Sequence, residues 1–343
     1  MMRLPLPWLF AITGGALALL LVGSLATGPM ALSFGESLRA LFAGQESGIA
    51  AHKLLIVQEI RLPRTLLCIA VGGILGLCGA VMQGLFRNPL ADPGIIGVSG
   101  GAALGAALAI VLLAPLGQQW QSLLGIGLLP LLAFLGGALT TTLVYLLGTR
   151  EGGTSVTVML LAGVAITALS GAVIGLLTYL ADDQMLRNLS LWQMGTLAAG
   201  KPVDVALALA TLIALLLLFM RDANPLNALL LGEGEARHLG VNVQSLKRRL
   251  ILLTAAGVGV AVAVAGMIGF VGLVVPHLVR LLAGPNHVRL LPLSALLGAA
   301  LLLGADMLAR TLLAPAELPV GIITALLGAP FFIWLLVKGR RTL

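Results

Sequence analysis

The sequence has little charge and few aromatic residues. Asp, Glu, Lys and Arg together make up 10% of its 343 residues, and Phe, Trp and Tyr make up 4%. Soluble domains carry roughly 25% charged residues, so a composition that is 59% hydrophobic argues against a soluble enzyme. The net charge of +7 comes from scattered basic residues without interleaved aromatics, which excludes a nucleic-acid-binding face. We therefore predict an all-α, polytopic membrane protein.

Cysteine is scarce, and motifs for catalysis or metal binding are absent from the sequence. Cys68 and Cys78 lie in one predicted helix, roughly 15 Å apart along its axis, which is too far for a disulfide. The four histidines are isolated. Residues 195–202 nearly match a phosphate-binding loop, but Pro202 replaces the Ser or Thr that holds Mg²⁺. We expect no catalytic residue, metal site or bound cofactor, and any ATPase that energises the protein must be a separate chain.

Apolar runs of about 20 residues predict the membrane spans. The ten expected helices cover residues 8–28, 62–86, 93–113, 124–147, 156–180, 203–220, 249–266, 268–283, 290–309 and 319–337. The eighth is short, and we expect a break or tight turn over residues 266–272. With the N-terminus inside, thirteen basic residues face the cytoplasm and seven face outward, as the positive-inside rule requires. The sequence thus predicts one membrane domain, residues 1–343, with both termini in the cytoplasm.

Glycine is abundant and a polar break interrupts its apolar runs. Residues 87–93 (RNPLADP) separate two glycine-rich stretches, and lipid tolerates such a break only where protein buries it or where it lines a water-filled path. Glycines at four-residue spacing indicate either close helix contacts or chance in a glycine-rich chain. These are Gly72/Gly76, Gly97/Gly101/Gly105 and Gly171/Gly175.

Few ionisable residues lie in or near the predicted spans. Asp306 and Arg310 form an i,i+4 pair, followed by Glu317. An intramembrane ionisable residue is a functional candidate, although mutual neutralisation of this pair is an equally sufficient interpretation. The absence of carboxylates deep in a span argues against a proton-coupled secondary carrier. An intramembrane enzyme is also disfavoured, because His277 lacks a nucleophile or metal partner.

The predicted cytoplasmic segment 221–248 is long enough to have a role. Asn224-Pro225 and the glycines at 232 and 234 act as breaks, which leaves two short helices expected over residues 226–231 and 235–239. A helical pair on this face suits the docking of a soluble partner, and a plain connector is the alternative.

Several long motifs resemble the FecCD-type permeases, the membrane subunits of binding-protein-dependent ABC importers for iron–siderophores, heme and vitamin B12. They are RLPR at 61–64, GAVMQGLFRNPLADPGIIGVSGGAALGA at 79–106, GFVGLVVPHLVRLL at 269–282, LLPLSALLGAALLLGADMLAR at 290–310 and ELPVGIITALLGAPFFIWLL at 317–336. The resemblance covers nearly the whole chain and follows the family order.

The resemblance implies a type II ABC importer permease fold, with ten helices per subunit and a translocation path between two copies in the inner (cytoplasmic) membrane. Two cytoplasmic ATPase subunits would hold ATP and Mg²⁺, and one periplasmic substrate-binding protein would dock outside. ATP-driven alternating access would move the cargo.

The resemblance also implies roles for individual residues. Those expected to receive acidic residues of the binding protein are Arg61, Arg64 and Arg310. Those expected at the cytoplasmic gate are Asn88, Leu90, Ser155 and Thr157. Those expected to contact the ATPase are Glu233, Glu235, Ala236, Leu239 and Gly240.

Residues 182–195 give the only hint of the cargo. They resemble the LR-x-L-x-x-W-x-M-G-S-L run of the heme branch, with Thr196 in place of the Ser. We therefore expect heme as the transported substrate, with an iron–siderophore or cobalamin as alternatives.

Overall fold

The computed structural model describes residues 5–28, 30, 32–42, 50–114, 116, 127–150, 153–198 and 200–339. Arg3, Arg340 and Arg341, which entered the topology prediction, lie outside the described residues. The first eight helices are α1 (Leu6–Ala26), α2 (Phe34–Phe42), α3 (Ala51–Leu55), α4 (Leu62–Leu85), α5 (Val98–Val111), α6 (Leu128–Gly148), α7 (Val156–Leu180) and α8 (Asp183–Gln193). The others are α9 (Pro202–Arg221), α10 (Ala223–Leu230), α11 (Glu233–His238), α12 (Val243–Ala265), α13 (Val271–Ala283), α14 (His287–Thr311) and α15 (Val320–Gly339).

Three short elements complete the described architecture. A π-helical turn, Ile56–Arg61, joins α3 to α4 in one continuous rod, and a 3₁₀ turn, Pro93–Ile96, precedes α5. Strands β1 (Thr149–Arg150) and β2 (Gly153–Thr154) form an antiparallel hairpin in which Thr149 pairs with Thr154. This hairpin leads directly into α7.

Within the described part of the chain, seven helices are long and apolar enough to cross a membrane. They are α1, the rod Ala51–Leu85, α6, α7, α9, α12 and α14. Three shorter apolar helices, Val98–Val111, Val271–Ala283 and Val320–Leu335, lie at the three remaining predicted positions. The structure therefore confirms helices at all ten predicted places, whereas the count of ten spans stays a prediction.

The predicted break before α13 is present. Helix α12 ends at Ala265, and the chain then passes through Gly266 and Phe270, both with positive φ, before α13 begins. Helix α8 was not predicted, because a polar helix of 11 residues leaves no long apolar run.

Helix α4 lies at the centre of the fold. In the apolar window of its rod 89% of residues are buried, against 17% in α7. Helices α9, α12, α13 and α14 pack around α4. Helices α1, α7 and α9 expose most of their apolar surface, as a membrane protein does toward lipid or toward a second subunit.

Glycines allow α4 and α14 to meet backbone to backbone. A Cβ at Gly72 would overlap the carbonyl oxygen of Gly298, and a Cβ at Gly76 would overlap that of Ser294. Gly101 and Gly105 meet the backbone of α6 in the same way. The glycine spacing thus marks close contacts at two of its three occurrences.

The third occurrence behaves differently. A Cβ at Gly171 or Gly175 would meet nothing within 4 Å, so these glycines make no close contact inside the subunit. They leave an open stripe of small residues on α7.

We predict that Gly298→Ala destabilises the protein by about 1–3 kcal/mol, because the added methyl group must push α4 and α14 apart. Gly304, on the same helix, has open space around its Cβ position. Gly304→Ala is therefore the matched control and should leave stability unchanged or slightly raised. Thermal unfolding of the purified variants in detergent measures the difference. Equal melting temperatures for the two variants would contradict the backbone contact.

Candidate functional site

A buried ion cluster joins α4 to α14 at the face that we predict to be external. We call Arg61, Arg64, Asp306, Arg310 and Glu317 the arginine cluster. Asp306 is 0% exposed and pairs with Nη2 of Arg64 at 2.9 Å and with Nε of Arg310 at 3.0 Å. Nη1 of Arg64 also donates to Glu317 at 2.6 Å. Asp306 and Arg310 do form the i,i+4 pair, which was one of the two interpretations of these residues, and a second arginine from α4 shares the carboxylate.

Two arginines of the cluster also hold the end of α1. Arg61 Nη1 donates to the carbonyl oxygens of Leu25 at 2.7 Å and Ala26 at 2.9 Å. Arg310 donates to the Ser24 hydroxyl at 2.8 Å and to the Thr27 carbonyl at 3.1 Å. The last carbonyls of a helix lack intrahelical partners, and positive charge there also matches the helix dipole. The cluster thus fixes α1 against the core.

The three arginines are therefore brought together, but none presents a free guanidinium in the single subunit. Arg61, Arg64 and Arg310 are 4%, 6% and 2% exposed. A carboxylate from a docking partner would have to displace an internal partner. Glu317, whose side chain is 35% exposed, is the most accessible of those partners.

Helix α2, on the face that we predict to be external, carries a second ion pair, which is exposed to solvent. Glu36 accepts from Nζ of Lys53 at 2.6 Å and from the Ser33 hydroxyl at 2.9 Å. The Lys53 ammonium, with help from Ser33, lowers the pKa of Glu36 to about 2. This exposed pair is a useful control for the buried one.

The polar break after α4 begins at the surface, where Arg87, Asn88 and Pro89 are exposed, and becomes buried toward Pro93. The Asn88 side chain accepts from the Leu90 amide at 2.9 Å, and Asp92 caps the 3₁₀ turn by accepting from Gly94 at 2.7 Å. Burial raises the pKa of Asp92. A Cβ at Gly163 would overlap the Ile95 carbonyl oxygen, so this turn rests on α7 roughly 10 Å beyond the start of that helix.

The predicted gate residues occupy two positions in the structure. Leu90 lies beside His277 of α13 and Phe331 of α15. Ser155 and Thr157 are exposed at the start of α7, where the Ser155 hydroxyl caps the helix by accepting from Val158 at 3.5 Å. What meets α7 is the 3₁₀ turn that follows Leu90.

Backbone hydrogen bonds tie the end of α8 to two other irregular segments. Thr196 donates to the Ala265 carbonyl at 2.8 Å, at the break after α12. Val320 and Gly321 of α15 donate to the carbonyls of Gly195 and Met194, each at 3.1 Å. Residues 182–195, which resemble a run of the heme branch, therefore end at a junction of α8, α12 and α15.

Segment 221–248 contains the two expected short helices, now bounded as α10 and α11. Glu235, Leu239 and Gly240 are exposed and can meet a partner. Ala236 is 0% exposed. Its side chain packs inward and anchors α11, and its expected contact with an ATPase stays a prediction.

Polar contacts of three residues, Asp222, Asn227 and Glu233, attach this segment to the membrane helices. Asp222 receives two hydrogen bonds from Arg249, one of them at 2.8 Å. Asn227 accepts from the His287 amide at 2.8 Å. Glu233 accepts from Nζ of Lys247 at 2.6 Å.

Lys247 was missed by the sequence reasoning, which counted it only as a cytoplasmic charge. It is 2% exposed, although two further basic residues, Arg248 and Arg249, follow it directly in the sequence. A signal was available: residues 247, 250, 251 and 254 share one helical face, and all four are buried.

A bundle of apolar helices that buries broken backbone and internally paired charges defines a polytopic membrane protein of the transporter class. Among the described residues no group of three or more His, Cys, Asp or Glu side chains could hold a metal ion. The chain belongs to the FecCD transport family, which matches residues 16–338. It is the permease subunit of an ABC importer.

Individual relatives cover nearly the whole chain. The chain is 47% identical over 328 residues to the hemin transport system permease protein HmuU of Yersinia pestis, covering 95% of this chain and 94% of that protein. It is 41% identical to the vitamin B12 import system permease protein BtuC of Klebsiella pneumoniae, covering 97% and 94%. A solved structure of a "metal-chelate type ABC transporter" in an inward-facing conformation superposes with a TM-score of 0.83 at 33% identity, covering 97% and 99%.

We predict that Asp306→Asn lowers the free energy of unfolding by about 3–5 kcal/mol, because two buried arginines lose their shared counter-charge. The control is Glu36→Gln, which breaks the exposed pair with Lys53 and should leave the melting temperature unchanged. Thermal unfolding of both purified variants tests this. An Asp306→Asn protein as stable as the wild type would show that the cluster does not hold α1, α4 and α14 together.

Proposed function

We propose that this chain carries heme across the cytoplasmic membrane by ATP-driven alternating access. It would work as a homodimer with two cytoplasmic ATPase subunits, which hold ATP and Mg²⁺, and one periplasmic binding protein. The cargo assignment rests on the similarity to a hemin permease over 95% of the chain, together with residues 182–195, which resemble a run of the heme branch. The chain itself would bind no cofactor.

Ten membrane crossings with both termini in the cytoplasm are part of this proposal. Support comes from seven long apolar helices and three shorter ones at the ten predicted positions. The positive-inside bias supports the orientation.

The dimer would form through α7 and α15. The open glycine stripe of α7 allows a close approach by another backbone. Both helices expose apolar side chains: those of α7 include Leu161, Val164, Leu169, Leu176 and Tyr179, and those of α15 include Leu326, Leu327, Ile333 and Trp334. A path lined by such residues suits a large amphipathic cargo with few tight ligands.

Cobalamin is the second candidate cargo, because relatives named as vitamin B12 permeases are nearly as similar as the hemin permease. An iron–siderophore is the third.

We predict that a strain lacking this chain fails to grow under iron limitation when heme is its sole iron source, and that the intact gene restores growth. Growth on siderophores and on vitamin B12 should remain normal. The host must have no second heme importer. Normal growth on heme would transfer the cargo assignment to siderophores or cobalamin, depending on which of those growth tests fails.

Docking of the binding protein is proposed at the arginine cluster, with Arg64 as the arginine that changes partner. The contact between Arg64 Nη1 and Glu317 is the most exposed part of the otherwise buried arginine cluster. A planar guanidinium can exchange one carboxylate for another without moving its other hydrogen bonds. A carboxylate on the binding protein would thus compete with Glu317.

We predict that Glu317→Gln tightens docking of the cargo-free binding protein about three- to tenfold, because a neutral amide competes less well for Arg64. Surface plasmon resonance on nanodisc-embedded permease measures the dissociation constant. Glu36→Gln, on the same predicted face but outside the cluster, should not change it. Weaker or unchanged docking of Glu317→Gln would refute the exchange of partners.

ATPase contact is proposed at the exposed part of α11 and the turn after it, with Glu233 and Glu235 on the helix and Leu239 and Gly240 beyond it. Asn88, Leu90, Ser155 and Thr157 are proposed as the cytoplasmic gate. Movement of α11 on ATP binding would then open or close the start of α7. A ligand shifts such an equilibrium only through different affinities for the two states, so ATP must favour one of them.

A further inference from the structure

We propose that Lys247 is the positioning residue through which movement of α11 reaches the start of α7. The inference rests on the proposed function, since it takes α11 as the ATPase-facing helix, and it adds the physical connection between that helix and the gate.

Lys247 lies between α11 and the β hairpin, two elements that are separate in the sequence. Its Nζ donates to Oε1 of Glu233 on α11 at 2.6 Å and to the carbonyl oxygen of Thr154 at 3.1 Å. Thr154 ends the β hairpin, and Ser155, the capping residue of α7, follows it. The Lys247 ammonium group thus contacts both α11 and Thr154, the residue that precedes the capping residue of α7.

The peptide units around Thr154 are held from both sides by α12. The Thr154 amide donates to Oε1 of Gln244 at 3.1 Å, while its carbonyl accepts from Lys247 one helical turn further on. The Ser155 amide donates to the Gly148 carbonyl at 2.8 Å, which closes the hairpin. The hairpin therefore cannot shift relative to α12 without breaking or moving the Lys247 contacts.

Stability alone does not explain a lysine at this place. Lys247 is 2% exposed, and burying an ammonium is costly unless every donor finds an acceptor. An apolar side chain of similar volume often serves a buried position as well as an ion pair does. A lysine differs from an apolar side chain here because its three donors can bind a carboxylate and a carbonyl at the same time.

The other two attachments of segment 221–248 lead elsewhere. Asp222 with Arg249 ties the end of α9 to α12, and Asn227 with His287 ties α10 to the start of α14. Neither contact reaches the hairpin. They act as fixed anchors, which leaves Glu233 and Lys247 as the described polar contact between α11 and the element that precedes α7.

The test uses the complete transporter, with its ATPase and binding protein, in proteoliposomes. Thr157→Cys reports on the start of α7, because this residue is exposed and the two native cysteines, Cys68 and Cys78, are buried. The readouts are the ATP hydrolysis rate and the ratio of maleimide labelling rates at position 157 with and without ATP plus vanadate. Neither readout depends on the identity of the cargo.

We expect Lys247→Met to keep most of the ATP hydrolysis and to shrink the ATP-dependent labelling ratio about tenfold, within the usual range of coupling between sites. Lys247→Arg, which keeps the donors, should restore much of the ratio. Arg249→Met is the matched control: it removes a neighbouring ion pair to the same segment and should keep the ratio. A ratio unchanged in Lys247→Met would overturn the proposal.

A charge swap separates the two contacts of Lys247. Glu233→Lys combined with Lys247→Glu restores the ion pair, but a carboxylate cannot donate to the Thr154 carbonyl. We expect the swapped protein to remain uncoupled, and recovery of the labelling ratio would overturn the role of the Thr154 contact. If even the wild type shows no ATP-dependent labelling change at position 157, the proposed coupling route itself fails and the role of Lys247 fails with it.

Discussion

The close contact between α4 and α14 is the constraint on which the rest of the structure depends. Glycine on both helices lets their backbones touch, so these two helices form the centre around which the others pack. The same two helices carry Arg64 and Asp306, and their small separation brings the guanidinium onto the carboxylate. In lipid, where helix association gains little from the hydrophobic effect, tight packing and satisfied charges are what remain to hold helices together.

Three irregular segments that the structure describes also find hydrogen-bond partners inside the protein. The turn after α4, the break before α13 and the end of α8 all leave peptide groups outside helices, and each finds partners inside the protein. The arginine cluster does the same for the last carbonyls of α1. Broken backbone is the part of a membrane protein that can rearrange at low cost, because its hydrogen bonds are to side chains and loops rather than within a continuous helix.

The two faces of the protein use ion pairs in different ways. At the predicted outer face the arginine cluster is buried and shared among several helices, with Glu317 as its most accessible side chain. At the opposite face single contacts attach segment 221–248 to different membrane helices, so that one contact can change while the others hold. This division fits a subunit that must stay assembled at one end while it transmits movement at the other.

The sequence by itself determined the class of protein, the positions of the ten apolar helices, the break before α13 and the two helices of segment 221–248. Those features follow from apolar run length and from glycine and proline placement, which are local. Helix α8 was not predicted, because it is polar and too short to leave a long apolar run. Sequence spacing suggested the neutralisation of Asp306 by Arg310, but Arg64 lies 242 residues away from Asp306 and only packing could bring it there. Tertiary structure likewise decided the burial of Ala236 and Lys247 and the contact of Lys247 with Thr154. The partners come from separate elements, and the sequence of a helix does not reveal which neighbouring element each of its faces will contact.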